Sequence, residues 1–210
     1  MATAEPSIQE EVLVRSSRLR IREFRVPTRC HLIPVIRDRL LEGIQEFRLA
    51  TRPTESHFCM AIEEALANAF YHGNLELCSA LKEDGSSRFL EFANEREQIM
   101  PYCVREVSIQ EIAGTFGLWI TIQDEGKGFD VAGAVNRELV PELLLSSGRG
   151  LMMMKAFADE LFFNAVGNQV TLVLYPRRSA QAEEITEGAG ETDAAVQRDD
   201  PEDGCRPTGA

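Results

Sequence analysis

The sequence predicts an α+β fold in two layers, with helices on one face of a mixed, mostly antiparallel sheet. Three observations predict it. Short runs with apolar residues at every second position read as strands, and longer runs with apolar residues at three- and four-residue steps read as helices. A tight Gly-Asn turn between the last two strand-like runs closes a hairpin. At 210 residues and 44% hydrophobic content the chain is long enough for one domain with a sizeable core, plus tails.

The elements follow in order. Leu19 and Ile21 alternate with charged neighbours up to Val26-Pro27, a strand. Leu32, Ile36, Leu40 and Ile44, with Val35 and Phe47 beside them, form the buried stripe of a helix. After Thr51-Arg-Pro-Thr54, with Thr54 as a candidate N-cap and Glu55 in the first turn, a second helix is expected over about residues 56–71. His72-Gly73-Asn74 ends it, glycine being common past a helix terminus. Residues 79–87 read as a loop and residues 89–98 as a short charged helix. Val104, Val107 and Ile109, then Leu118, Ile120 and Ile122, give two strands joined at a turn over residues 114–117. A loop over residues 130–147 leads to a helix with Leu151, Met154, Phe157 or Ala158, and Leu161 on one face. Residues 162–165 and 170–175 then flank the Gly167-Asn168 turn.

Charge is unevenly spread. The net charge is −12, yet residues 179–210 alone hold nine Asp or Glu against Arg198 and Arg206. This tail lacks aromatics and cannot bury enough apolar surface to offset the entropy of ordering it, so residues 177–210 are expected to be disordered, as are residues 1–11. The remaining part, residues 12–176, is only mildly acidic, which argues against nucleic acid as its main partner. The first residues show neither a basic nor an apolar leader pattern, and no stretch approaches a membrane span, so the expected location is cytoplasmic. Cys30, Cys59, Cys78, Cys103 and Cys205 are widely spaced with no C-x-x-C pair, pointing to reduced thiols rather than a zinc site or disulfide framework.

Three segments carry chemistry. Glu64, Asn68 and His72 stand four apart on the second helix, beside the small Ala61, Ala65 and Ala69. A carboxylate one turn from a carboxamide suits a nucleotide site: the Asn68 oxygen is a hard ligand for Mg²⁺, while Glu64 stays free to take a proton. Glu63 lies well round the helix and is the solvated neighbour. Asp124, at the end of a strand and before Gly126 and Gly128, is an acceptor that matches the exocyclic amine of adenine and opposes the oxygen guanine carries there. Gly148-Arg149-Gly150 precedes a helix starting near Leu151, whose free N–H groups and dipole suit phosphate. Arg149 either adds a charge contact or stays in solvent. Taken singly, the stripe also reads as a solvated helix face and Asp-Glu-Gly-Lys-Gly as an ordinary polar turn. Neither a dinucleotide fingerprint nor a P-loop is present, since Val131 replaces the third glycine and no G-x-x-x-x-G-K-[ST] occurs. His31 and His57 have no matching companions.

Glu64-x-x-x-Asn68, Asp124-x-Gly126-x-Gly128 and Gly148-x-Gly150-Leu151 resemble the asparagine box and two glycine boxes of the GHKL ATPase superfamily. Asn68-Ala-x-x-His72-Gly73 and the small size resemble its anti-sigma-factor serine/threonine kinases of the RsbW type, over about residues 12–176. The resemblance implies a Bergerat-type sandwich that binds ATP and Mg²⁺ under a flexible lid, here residues 130–147. It implies phosphorylation of a serine on a STAS-domain anti-anti-sigma partner, sequestration of a sigma factor, and commonly a homodimer. By position, Glu64 would be the base, Asn68 the magnesium ligand and Asp124 the adenine contact. Gly126, Gly128, Gly148 and Gly150 would be the loop glycines, with His72, Gly73, Arg149 and Leu151 beside the nucleotide. Thr171 matches a place where the family often puts a hydroxyl near adenine. Residues 75–103 depart from the pattern as a long insertion, and so does the acidic tail.

Three functional classes follow. One is a serine kinase in which Glu64 deprotonates a partner serine. Another is the catalytic half of a two-component histidine kinase, but His31-Leu-Ile-Pro34 lacks the acidic residue expected after a phospho-accepting histidine. The third is a module that acts by nucleotide-dependent partner binding without phosphotransfer.

Overall fold

The computed structural model describes residues 7–78, 88–135 and 146–177. The expected loop at 79–87, residues 136–145 of the expected lid and the acidic tail lie outside the described residues.

Among the described residues six strands form one sheet: β1 (Gln9–Arg15), β2 (Leu19–Pro27), β3 (Glu106–Gly114), β4 (Gly117–Gln123), β5 (Glu160–Phe163) and β6 (Gln169–Leu174), in the order β1-β2-β3-β4-β6-β5. Every neighbouring pair is antiparallel, so the sheet is not mixed among the described strands. The helices are α1 (Ile33–Phe47), α2 (Arg52–Ala67), α3 (Arg88–Arg96), α4 (Val131–Val135) and α5 (Ser146–Phe157). The α+β class holds, and none of the described helices is long and apolar enough to cross a membrane.

The core lies between one sheet face and the helices. Alternation brings Phe24 and Val26, Val107 and Ile109, and Leu118, Ile120 and Ile122 to that face. The expected stripe Ile36, Leu40 and Ile44 of α1 packs on them, with Phe58, Ile62 and Leu66 of α2 and Met154 of α5. The opposite face carries Trp119, which lies against Phe116 and, edge-on, Tyr175.

β2 shows that alternation can identify a strand without identifying its buried face. Arg20 and Arg22 point inward, flanking Glu111 of β3, which is fully buried. Glu111 accepts hydrogen bonds from Arg22 Nε at 2.7 Å and Arg22 Nη2 at 2.9 Å, and from Arg20 Nε at 3.2 Å. Arg20 also pairs with Glu46 of α1, and Arg22 with Glu42 and Glu10. Burial pulls the Arg22 pKa down, but these carboxylates outweigh it and the net shift is upward.

Several boundaries differ from the sequence reading. β1 was not expected, and its Gln9–Glu11 portion falls in the stretch read as disordered. Its Val12, Leu13 and Val14 are all exposed on an edge strand, and a bulge between Val12 and Val14 breaks the period that marks other strands. α2 begins at Arg52, with Thr51 rather than Thr54 at the N-cap and Pro53 in the first turn, where its missing N–H has no helical partner to lose. α2 passes at Asn68 into a π-helical segment, Asn68–Asn74. α3 matches the short charged helix. Leu75, Leu77, Phe89 and Ala93, all from the insertion, form a second apolar cluster.

Candidate nucleotide site

α2 and α5 pack together on the sheet, and the space between them and the β4–β6 end is a cavity of about 350 Å³, within the range of small-molecule sites. Glu64, Asn68 and His72 line one wall from α2 and its π-helical continuation. Asp124, just beyond β4, lines the other with Gly73 and Gly128. Gly150 and Leu151 come from α5. The three segments, far apart in sequence, thus meet around one space.

Close approach accounts for two of the glycines. A Cβ at Gly73 would collide with the Asp124 carboxylate, so this glycine lets the helix end lie against the acid. Its φ is not positive; Glu76 is the residue nearby in the left-handed region, so Gly73 does not act as the expected C-terminal glycine. A Cβ at Gly150 would stand 2.6 Å from Glu64 Oε2, so a side chain there would displace the Glu64 carboxylate from its place against α5. Gly128 needs glycine for conformation as well, with φ +73° and its backbone against the Val166 carbonyl.

Asp124 is held from several sides. Its N–H donates to the Asn168 carbonyl at 3.0 Å, Asn168 Nδ2 donates to its carbonyl at 2.9 Å, and Gly126 N–H donates to its Oδ1 at 2.7 Å. Burial pushes its carboxyl up to about 6, against the opposing pull of the Gly126 N–H and the Arg105 charge. His72 Nδ1 lies 2.6 Å from the Leu77 carbonyl, tying the helix end to the start of the insertion. Glu63 is the surface neighbour expected, paired with Arg37. His57 stacks on Phe157 at 4.8 Å, a contact between α2 and α5.

Other expected site residues stand elsewhere. Thr171 is on the far sheet face, its hydroxyl 2.9 Å from that of Thr121, because alternation along β6 turns Val170 and Leu172 toward the helices. Val170 and Gln169 line the cavity instead. Gly148-Arg149-Gly150 lies inside α5 rather than before it, and Arg149 is exposed and outside the cavity lining. Gly126 supports Asp124 through its N–H without lining the cavity.

The β5–β6 turn was read only as a hairpin closure, yet Gly167 and Asn168 line the cavity. Phe129 and Phe163 form an edge-on pair in its wall, 5.4 Å between ring centroids. Only the tight Gly-Asn pair carried any signal for this part of the site.

A cavity between two helices and a sheet end, with a carboxylate and carboxamide one helical turn apart on one wall and an acceptor on the other, gives this α+β sandwich a pocket of the size and polarity a small-molecule site requires. The family model for the histidine kinase-like ATPase domain matches residues 26–174, and the chain belongs to that family. Domains of this family bind ATP. No curated protein matches the chain.

Proposed function

We propose that this protein is an ATP-dependent serine/threonine protein kinase of the anti-sigma regulatory type, phosphorylating a serine of a STAS-domain anti-anti-sigma partner and acting by partner switching. One observation carries the reading: Glu64 and Asn68 share a cavity with Asp124, and Gly150 brings α5 against Glu64. In this reading adenine sits at Asp124, whose Oδ1 is engaged by Gly126, leaving Oδ2 for the exocyclic amine. The phosphates lie toward α5, and Glu64 accepts the proton of the attacking serine hydroxyl.

The donor set fits Mg²⁺ as a nucleotide-borne ion. Asn68, on the cavity wall beside Glu64, would hold it together with the phosphates, whose charge it neutralises. The partner and any homodimer are part of the proposal, supported by the resemblance of the Asn68-to-Gly73 segment.

Calorimetric titration with Mg-ATP and Mg-GTP tests the reading. ATP is expected to bind at least tenfold more tightly than GTP, and Asp124→Asn to weaken ATP by about tenfold or more, roughly 1.4 kcal/mol. Equal affinity for both nucleotides, or an indifferent Asp124→Asn, would sink the assignment of the adenine end.

The raised carboxyl adds a pH dependence. An amine donor favours ionised Asp124, so its pKa in the complex falls below about 6 and binding releases a proton. ATP affinity should therefore rise with pH between about 5 and 7 and level off above. The same profile on Asp124→Asn carries the titration of the phosphates alone, and superimposable profiles would count against the contact.

A further inference from the structure

We infer that Asn74 is a positioning residue for the adenine end of the site: it sets the turn that presents the Asp124 carboxylate. This rests on the nucleotide reading above. Asn74 closes the π-helical segment that follows α2 and is fully buried, an unusual place for a carboxamide unless each of its polar atoms is used. Its Oδ1 accepts the Glu125 N–H at 2.7 Å, inside the turn that follows Asp124. Its Nδ2 donates to Thr28 Oγ1 at 2.8 Å, and its carbonyl accepts from Arg105 Nη1 at 2.6 Å.

Both anchors are themselves fixed. The Thr28 hydroxyl donates to the Arg105 carbonyl at 2.6 Å, and the Thr28 N–H donates to the same oxygen at 3.1 Å, which locks the end of β2 to the start of β3. Arg105 continues to Glu76 at 2.9 Å, and Glu76 meets Lys127 at 3.5 Å on the far side of the turn. The Glu125 carboxylate returns to the Glu106 N–H at 3.1 Å. The residue following Asp124 is therefore held at its amide by Asn74 and at its side chain by β3, and the next amide, Gly126 N–H, then points at Asp124 Oδ1. Without the Asn74 oxygen a buried amide loses its partner, and the turn must rearrange to recover one.

A residue acting this way changes adenine recognition rather than stability alone. Asn74→Ala is expected to weaken Mg-ATP binding at least tenfold and to reduce the preference for ATP over GTP. Amide exchange at Glu125 and Gly126 in the ligand-free protein should quicken by at least tenfold. Asn74→Asp, which keeps an oxygen for the Glu125 N–H, should recover most of the ATP preference. Ile44→Val in the core, next to Gly43, which meets Ala113 and Leu118 at the opposite end of β3 and β4 from the turn, serves as the control for general loosening and should leave the ATP-to-GTP ratio and the two amides unchanged.

An ATP-to-GTP ratio in Asn74→Ala within twofold of wild type overturns the positioning role, and so does unaltered exchange at the two amides. If Asn74→Ala does not fold, Asn74→Asp and Thr28→Val decide. Wild-type ATP preference in Thr28→Val, or a ratio lost in Asn74→Asp with the turn amides still protected, also overturns it. Absence of adenine nucleotide binding by the wild-type protein removes the nucleotide reading itself and this role with it, an outcome distinct from binding that ignores Asn74.

Discussion

Under the proposed kinase activity, replacing Glu64 by alanine or glutamine is expected to lower phosphoryl transfer to a partner serine by about 10²–10⁴-fold while leaving Mg-ATP affinity within a few-fold of wild type. Glu64 lines the cavity beside Asn68, with its Oε2 facing the backbone of Gly150. The two substitutions separate shape from basicity. Glutamine keeps the packing against Gly150 and removes only the capacity to take a proton, whereas alanine removes both. A general base therefore predicts similar losses of transfer in the two variants, measured with labelled ATP and a STAS-domain substrate. If ATP affinity falls in step with transfer, Glu64 supports the cavity rather than the reaction. Normal transfer in Glu64→Gln would exclude it as the base.

The second large effect concerns the buried acid under α1. Glu111→Ala is expected to cost about 3 kcal/mol of folding stability, measured by urea denaturation. Removing one member of a buried ionic group leaves the others uncompensated, and that cost is commonly about 3–5 kcal/mol. The lower figure applies because Arg20 keeps Glu46, and Arg22 keeps Glu42 and Glu10. Such a loss is a large share of the stability of an ordinary domain. A change below about 1 kcal/mol would show that the partners nearer solvent are sufficient by themselves.

These two sites differ in how far the sequence disclosed them. Glu64, Asn68 and Asp124 were legible because each lies in a short segment whose spacing is itself the geometry: one helical turn, or a strand end followed by glycines. The Arg20–Arg22–Glu111 group was not, since Arg alternating with Leu and Ile reads as an apolar face when the inward side is in fact the charged one. Only the pairing of β2 with β3, which places Arg22 opposite Glu111, makes the inversion intelligible. Thr171 illustrates the sensitivity of strands to parity, where one residue of displacement exchanges the cavity face for the opposite face. β1 was missed because an exposed edge strand with a bulge keeps no period to detect. The core stripes of α1, β3 and β4 were legible because burial there follows the period of each element.

The contacts made by Asn74 and Asn168 belong to a different category. Each reaches a partner far along the chain: Asn74 meets Glu125, and Asn168, besides its bond to Asn164 within its own turn, meets Asp124. Long-range hydrogen bonds of single amides leave no periodic trace, so the support of Asp124 and its turn became visible only with the fold.

The apolar cluster of Leu75, Leu77, Phe89 and Ala93 is separate from the main core. The described part of the insertion is thus held partly through residues that do not line the cavity, while Leu90, Ile99 and Met100 are exposed. Phe89 of this cluster also faces the His72 ring, 6.3 Å between centroids, and His72 lines the cavity, so a substitution that loosens the cluster reaches the pocket wall through that aromatic contact.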